Sequence, residues 1–289
     1  MTIGQSGGAA AAPEAPEAPE APGRYRGPTP ALSKVPEVTA LFWVVKILTT
    51  GMGETASDYL GRTLGPIPAG ALGFTCFAVA LVAQFRSTRY RAGIYWSAIV
   101  MVSVFGTMAA DVVHVIAGVP YLVSTLAFSV ALAVILVAWY ASEGTLSIHS
   151  VRTRRRETFY WATVLTTFAL GTAVGDLTAG TLSLGYLTSG LVFGALILVP
   201  ALSGRFLGLN AVAAFWGAYI LTRPLGASFA DWMGVPATRG GLGWGTGPVT
   251  LALTVPIALL IGYLAVTGKD TPRDAADGAP AEAVPVAAG

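Results

Sequence analysis

Four aspartates, Asp58, Asp111, Asp176 and Asp231, recur at one spacing. Each stands five residues after a glycine (Gly53, Gly106, Gly171, Gly226) and fifteen after a tryptophan (Trp43, Trp96, Trp161, Trp216). Every copy lies in an apolar stretch long enough to cross a bilayer, where an ionisable group is costly and asks for a function or a partner. Carboxylates are hard oxygen donors, so the chemistry they suit is holding protons or hard cations such as Mg²⁺, Mn²⁺ or Ca²⁺. Counting back by fours from each aspartate traces one helix face. The four faces are Lys46, Thr50, Glu54, Asp58; Ile99, Ser103, Thr107, Asp111; Val164, Phe168, Thr172, Asp176; and Tyr219, Arg223, Ala227, Asp231.

Charged residues on such stripes face a bundle interior or a watery path. The candidate ion-binding set is therefore Asp58, Asp111, Asp176, Asp231 and Glu54, with Lys46 and Arg223 as the opposing cations. Five acids against two bases favour a bound cation or shared protons. The structural alternative is that each aspartate caps a helix or joins an ion pair, such as Asp231 with Lys46 or Glu54 with Arg223. Asp111 and His114 share a face three residues apart and form a possible metal pair, although a lone histidine near a helix end also serves as an interfacial hydrogen bonder. His149 lies in a basic loop, and one histidine near membrane depth excludes a bis-histidine haem. Cys76, the single cysteine, excludes an intramolecular disulfide framework and reads as packing. No phosphate-binding loop, zinc-protease motif or nucleophile elbow occurs. No catalytic residues are assigned, no cofactor is expected, and the chain is not read as an enzyme.

The elements that must carry these residues are transmembrane helices. Hydrophobic residues make up 54% of the chain and charged residues 11%, against roughly 25% charged in soluble domains; mean hydropathy is +0.66. Apolar segments near 39–60, 67–85, 93–115, 121–141, 158–179, 184–203, 208–232 and 247–267 each approach the roughly 20 residues of a spanning helix. Residues 1–33 form a Pro/Ala/Glu-rich arm and 268–289 a polar tail, both expected to be disordered. The membrane domain is then 34–267, with repeats about 39–85, 93–141, 158–203 and 208–267. Arginines crowd alternate connectors: Arg86, Arg89 and Arg91; Arg152, Arg154, Arg155 and Arg156; and Arg205. The other connectors hold only Arg62 and Arg239. The positive-inside rule places both termini and the Arg-rich loops in the cytoplasm. Those loops are candidate contacts for anionic lipid head groups; nothing suggests nucleic acid.

The expected fold is all-α and polytopic. Eight transmembrane helices form four helical-hairpin repeats in one orientation, related by pseudo-rotation about the membrane normal. Odd helices line the centre and even helices shield them. The tryptophans read either as an aromatic belt at the head groups or as packing within the repeat, and the glycines as close helix contacts. The aspartates lie roughly 22 Å beyond the tryptophans at about 1.5 Å per residue, in the outer half of a core about 30 Å thick.

The openings KVPEVTALFWVVKILTTGMGETASDYLG and YWATVLTTFALGTAVGDLTAG, within four tandem two-helix units each with its own tryptophan, resemble a bacterial membrane protein family of tandem repeats of unknown function. Its members are called uncharacterised membrane-anchored proteins. The resemblance covers about residues 34–267 and implies the fold and a bacterial plasma membrane location, but no activity. The leading functional expectation is a small-cation transporter, for divalent metal or proton, using intramembrane carboxylates. The alternatives are a non-transporting scaffold or sensor with fixed ion pairs between repeats, and, third, a membrane-embedded enzyme using Glu54 or an aspartate as acid or base.

Overall fold

The computed structural model describes residues 32–272. The arm through residue 31 and the tail from 273 lie outside the described residues. The helices are α1 (Ala40–Leu64), α2 (Pro66–Arg86), α3 (Ala92–Asp111), α4 (Tyr121–Glu143), α5 (Arg154–Asp176), α6 (Tyr186–Leu196), α7 (Leu198–Phe206), α8 (Ala211–Gly234) and α9 (Thr246–Thr267). No strand occurs among the described residues. Side-chain caps start three of the four inner helices: Thr39 accepts from Phe42 N, Thr153 from Arg156 N and Asn210 from Val212 N. Left-handed glycines at Gly144 and Gly268 end α4 and α9.

Six helical segments are long and apolar enough to cross a membrane: Pro66–Arg86, Ala92–His114, Tyr121–Glu143, Arg154–Thr181, Tyr186–Gly204 and Thr246–Thr267. Helices α1 and α8 are not among them; they carry Lys46, Glu54, Asp58 and Arg62, and Arg223 and Asp231. Three boundaries differ from expectation. The sixth segment is two helices, α6 and α7, meeting at Ile197. The α3 and α5 helices each run into a π-helical turn, Val112–Ile116 and Leu177–Thr181, immediately after Asp111 and Asp176. Arg154, Arg155 and Arg156 are not connector residues but the first turn of α5.

Helices α1, α3, α5 and α8 contact one another in a closed cycle, α8 returning to α1. Each remaining helix packs mainly behind the inner helix of the following repeat. Thus α2 lies against α3, α4 against α5, α6 and α7 against α8, and α9 against α1. Burial agrees: 56% of the most apolar stretch of α3 and α5 is buried, against 17% in α2, α4, α6–α7 and α9. Cys76 sits on the outward face of α2 and is exposed, so it does not pack in the core as expected.

The repeat residues close this cycle. The aromatic residue before each tryptophan packs against the tryptophan of the next copy: Phe42 on Trp96 at 5.6 Å, Tyr95 on Trp161 at 5.8 Å, Tyr160 on Trp216 at 6.2 Å, and Phe215 on Trp43 at 5.6 Å between ring centroids. Trp96, Trp161 and Trp216 are buried, which rules out the head-group belt for them: they plug one end of the bundle. The glycines repeat the same step. A Cβ on Gly53 would lie 1.8 Å from Ser103 Oγ, on Gly106 2.9 Å from Phe168 Cβ, on Gly171 2.3 Å from Arg223 Cγ, and on Gly226 2.0 Å from Thr50 Oγ1. Each glycine thus receives the stripe side chain of the next repeat, the close approach that small residues permit between membrane helices.

Beyond the aromatic plug, the segments flanking the first and last helices are tied down. Lys34 Nζ lies 2.7 Å from Glu157 Oε2, with both buried, and Gln84 Nε2 donates to Glu157 Oε1 at 3.3 Å. Residues 268–272, assigned by sequence to the tail, are also ordered against the bundle. Asp270 is buried, accepts from the Tyr90 hydroxyl and from Trp96 Nε1, and its carbonyl accepts from Glu37 N. Burial and the neighbouring Asp270 carboxylate push the Tyr90 hydroxyl well above the ordinary tyrosine range, so it acts as a donor there. Arg155 and Arg156 bind Glu143 at 3.2 and 2.7 Å, joining α5 to the end of α4.

The close approach at Gly226 predicts a specific cost. Gly226→Ala places a methyl against Thr50 Oγ1 and the Ile47 carbonyl oxygen and should destabilise the protein by about 2 kcal/mol, an ordinary overpacking cost. Gly61→Ala, with nothing within 4 Å, should be neutral or slightly stabilising. Thermal unfolding of both variants in lipid nanodiscs measures the difference.

Candidate functional site

The four inner helices project their stripes toward one axis, and the stripes end in a cavity of about 460 Å³. All four aspartates and Glu54 line it, with Ser57, Arg62, Tyr121, Tyr186 and Arg239 among the other lining residues. The carboxylates are unequally engaged. Asp58 accepts from Arg62 at 2.6 Å, one turn away on the same helix. Among the described residues, Asp111 receives a single long contact, from Ser57 Oγ at 3.5 Å. Asp231 is buried, and Asp111 and Asp176 are partly so. Two lining residues repeat the regularity of the aspartates. Tyr121 follows Asp111 by ten residues and Tyr186 follows Asp176 by ten, each opening the next helix across a π turn. That spacing was visible in the sequence, and its meaning was missed because the π turns that bring the tyrosines over the cavity were not.

Beneath the cavity lies a buried ion pair. Arg223 is 1% exposed, and its guanidinium binds the Glu54 carboxylate. The same group reaches Thr107 Oγ1 at 2.5 Å, Thr172 Oγ1 at 2.8 Å and the Thr50 carbonyl at 3.3 Å. Residues from all four inner helices therefore meet at one side chain. Of the two pairings weighed from sequence, Glu54 with Arg223 forms. Lys46 does not meet Asp231: it lies deeper, 1% exposed, with Nζ 4.1 Å from the Phe168 ring centroid and 4.2 Å from that of Tyr219. No hydrogen-bond acceptor reaches this ammonium among the described residues; the ring faces are its contact. Lys46 thus does not line the cavity, contrary to its grouping with the acids.

Five carboxylates against the guanidinium groups of Arg62, Arg239 and Arg223 leave a formal excess of two negative charges around the cavity. Among the described residues, no three His, Cys, Asp or Glu side chains are close enough together to hold a metal ion. The acids surround a volume rather than preforming a coordination sphere. His114 does not join Asp111 at the cavity: its Nδ1 lies 3.1 Å from Ser124 Oγ and its ring 4.4 Å from that of Tyr121. A second cavity of about 620 Å³, between α7, α8 and residues 146–149, is lined almost wholly by apolar side chains such as Trp43, Ile197, Pro200 and Phe215. It is larger, but the convergent polar groups are all in the acidic cavity.

Removing one partner of a buried pair leaves the other charge uncompensated, at about 3–5 kcal/mol. Glu54→Gln should therefore lower stability by about that amount. The double change Glu54→Gln with Arg223→Met should recover part of the loss, which thermal unfolding of the single and double variants checks.

A family model described as Repeat of Unknown Function (DUF347) matches the chain four times, over residues 41–90, 94–145, 159–204 and 214–270. Each match begins beside the aromatic–tryptophan pair of an inner helix; three end beyond the helix that returns from it, and the third match ends inside α7. No curated protein and no solved structure matches the chain. The four matches together cover well over half of the sequence, and the chain belongs to this family of repeats of unknown function.

Proposed function

We propose that the chain is an eight-span membrane protein that transports a small cation, a divalent metal ion or a proton, through the acidic cavity. The carrying observation is the convergence of Asp58, Asp111, Asp176, Asp231 and Glu54, from all four inner helices, on one cavity. On this reading α1 and α8 also span, their charges being tolerated because they face the bundle interior and not lipid. The matched glycine and aromatic contacts from each repeat to the next support pseudo-rotational symmetry about the membrane normal. Arg86, Arg89, Arg91, Arg152, Arg154, Arg155 and Arg156 lie at the aromatic end, which under the positive-inside rule supports a cytoplasmic side for that end and both termini, in a bacterial cell. The cavity then opens outward while the aromatic plug closes the path inward, one state of an alternating-access cycle.

The scaffold reading draws on one feature, the fixed Glu54–Arg223 pair between repeats. The transport reading accounts for more: Asp111, Asp176 and Asp231 face the cavity without a basic side chain bound to them among the described residues. Uptake of Mn²⁺ or of protons into proteoliposomes tests it. Asn at Asp111, Asp176 or Asp231 should reduce uptake about tenfold or more, equal to ~1.4 kcal/mol in the barrier. Asn at Asp58 should cost less, because Arg62 already neutralises it. Unchanged uptake in the variant with all four substitutions would sink the reading.

A further inference from the structure

Arg223 occupies a cage of oxygen atoms that has the make-up of a cation site. Glu54 supplies a carboxylate, Thr50 a carbonyl, and Thr107 and Thr172 hydroxyl oxygens. The two hydroxyl protons are already committed. Thr107 donates to the Ser103 carbonyl at 2.9 Å and Thr172 to the Phe168 carbonyl at 3.0 Å. Their lone pairs are therefore left for a positive charge at the centre. All the donors are hard oxygens, and only one is charged.

The occupant is held on a weak turn. Pro224 follows Arg223 inside α8 and has no N–H for the carbonyl one turn earlier. Among the described residues, the buried Arg223 Nε has no hydrogen-bond partner, and the guanidinium is bound at its tip. Directly above lies the acidic cavity, which Glu54 also lines.

We propose that Glu54, Thr107, Thr172 and the Thr50 carbonyl form an inner site for a small monovalent cation, and that Arg223 is a tethered occupant which such a cation, entering from the cavity, displaces. One carboxylate balances one charge. Exchanging the guanidinium for a sodium-like ion leaves the buried charge of the cage unchanged, whereas a divalent ion would leave it one unit in excess. On the transport reading, on which this inference rests for its role, the inner site holds a coupling ion, and the aspartates above it meet the transported one.

The full chain in lipid nanodiscs tests the site without requiring transport. Arg223→Ala should acquire a saturable rise in Tm with millimolar guanidinium chloride, which the wild type should lack. It should also bind radiolabelled sodium saturably at lower concentration than the wild type, where the ion must first displace Arg223; a wild type that binds no sodium at any concentration overturns the displacement. Both responses should disappear in Arg223→Ala with Glu54→Gln. No response in Arg223→Ala, or an equal response in the double variant, overturns the proposal. If Arg223→Ala does not fold, Arg223→Lys serves the same sodium titration. It keeps one charge on a side chain without the planar fork, so sodium should displace it and bind at lower concentration than in the wild type, and absence of binding there also counts against the site. Because binding is read directly, loss of this site and loss of the aspartate-dependent uptake are separate results.

Discussion

A full positive charge buried at the centre of the bundle is the constraint on which the rest depends. Arg223 is 1% exposed, and an isolated ion in that setting is prohibitively expensive. The bundle meets the cost by bringing an oxygen from each of the other three inner helices to one guanidinium. This fixes how the four helices rotate about their axes and how far each slides along its neighbour. Gly171 is part of the same solution, since a side chain there would collide with the stem of Arg223.

Around that charge the axis is graded. At one end, four aromatic pairs interlock from repeat to repeat and exclude water. Next comes Lys46 against two ring faces, then the guanidinium cage, then the cavity of carboxylates. Polarity rises from the plug to the cavity. The outer helices contribute shielding, and the arrangement in which each backs the next repeat's inner helix ties the four copies together. A repeat built this way cannot bury its own stripe; it borrows the surface of its successor.

The copies are not equivalent in chemistry. Repeat one supplies Lys46 and Glu54, repeat four supplies Arg223, and repeats two and three supply neutral threonines at the level of Glu54. Among the described residues, the π turn followed by a cavity-lining tyrosine occurs in repeats two and three. The frame is fourfold and the charge is not: Lys46, Glu54 and Arg223 all lie on α1 and α8.

Much of this was legible in the residues alone. The fixed Trp–Gly–Asp spacing identified the repeat, the four-residue stripes identified the inward faces, and the pairing of Glu54 with Arg223 was one of two that the stripes allowed. These are properties of a single helix, and a helix's period converts spacing into direction without reference to neighbours. The break at Ile197, the π turns, the helical first turn at Arg154 and the burial of Lys34 against Glu157 were not legible. Each depends on which surfaces meet. The same holds for the tryptophans: an indole at the end of a spanning helix suits either a head-group belt or a packed plug, and only the adjacent repeat decides. Sequence by itself determined the copies, the faces and the acidic groups. Tertiary structure decided the partners, because the cycle of helices sets which stripe lies beside which, and a buried charge is satisfied only by what lies within hydrogen-bonding reach.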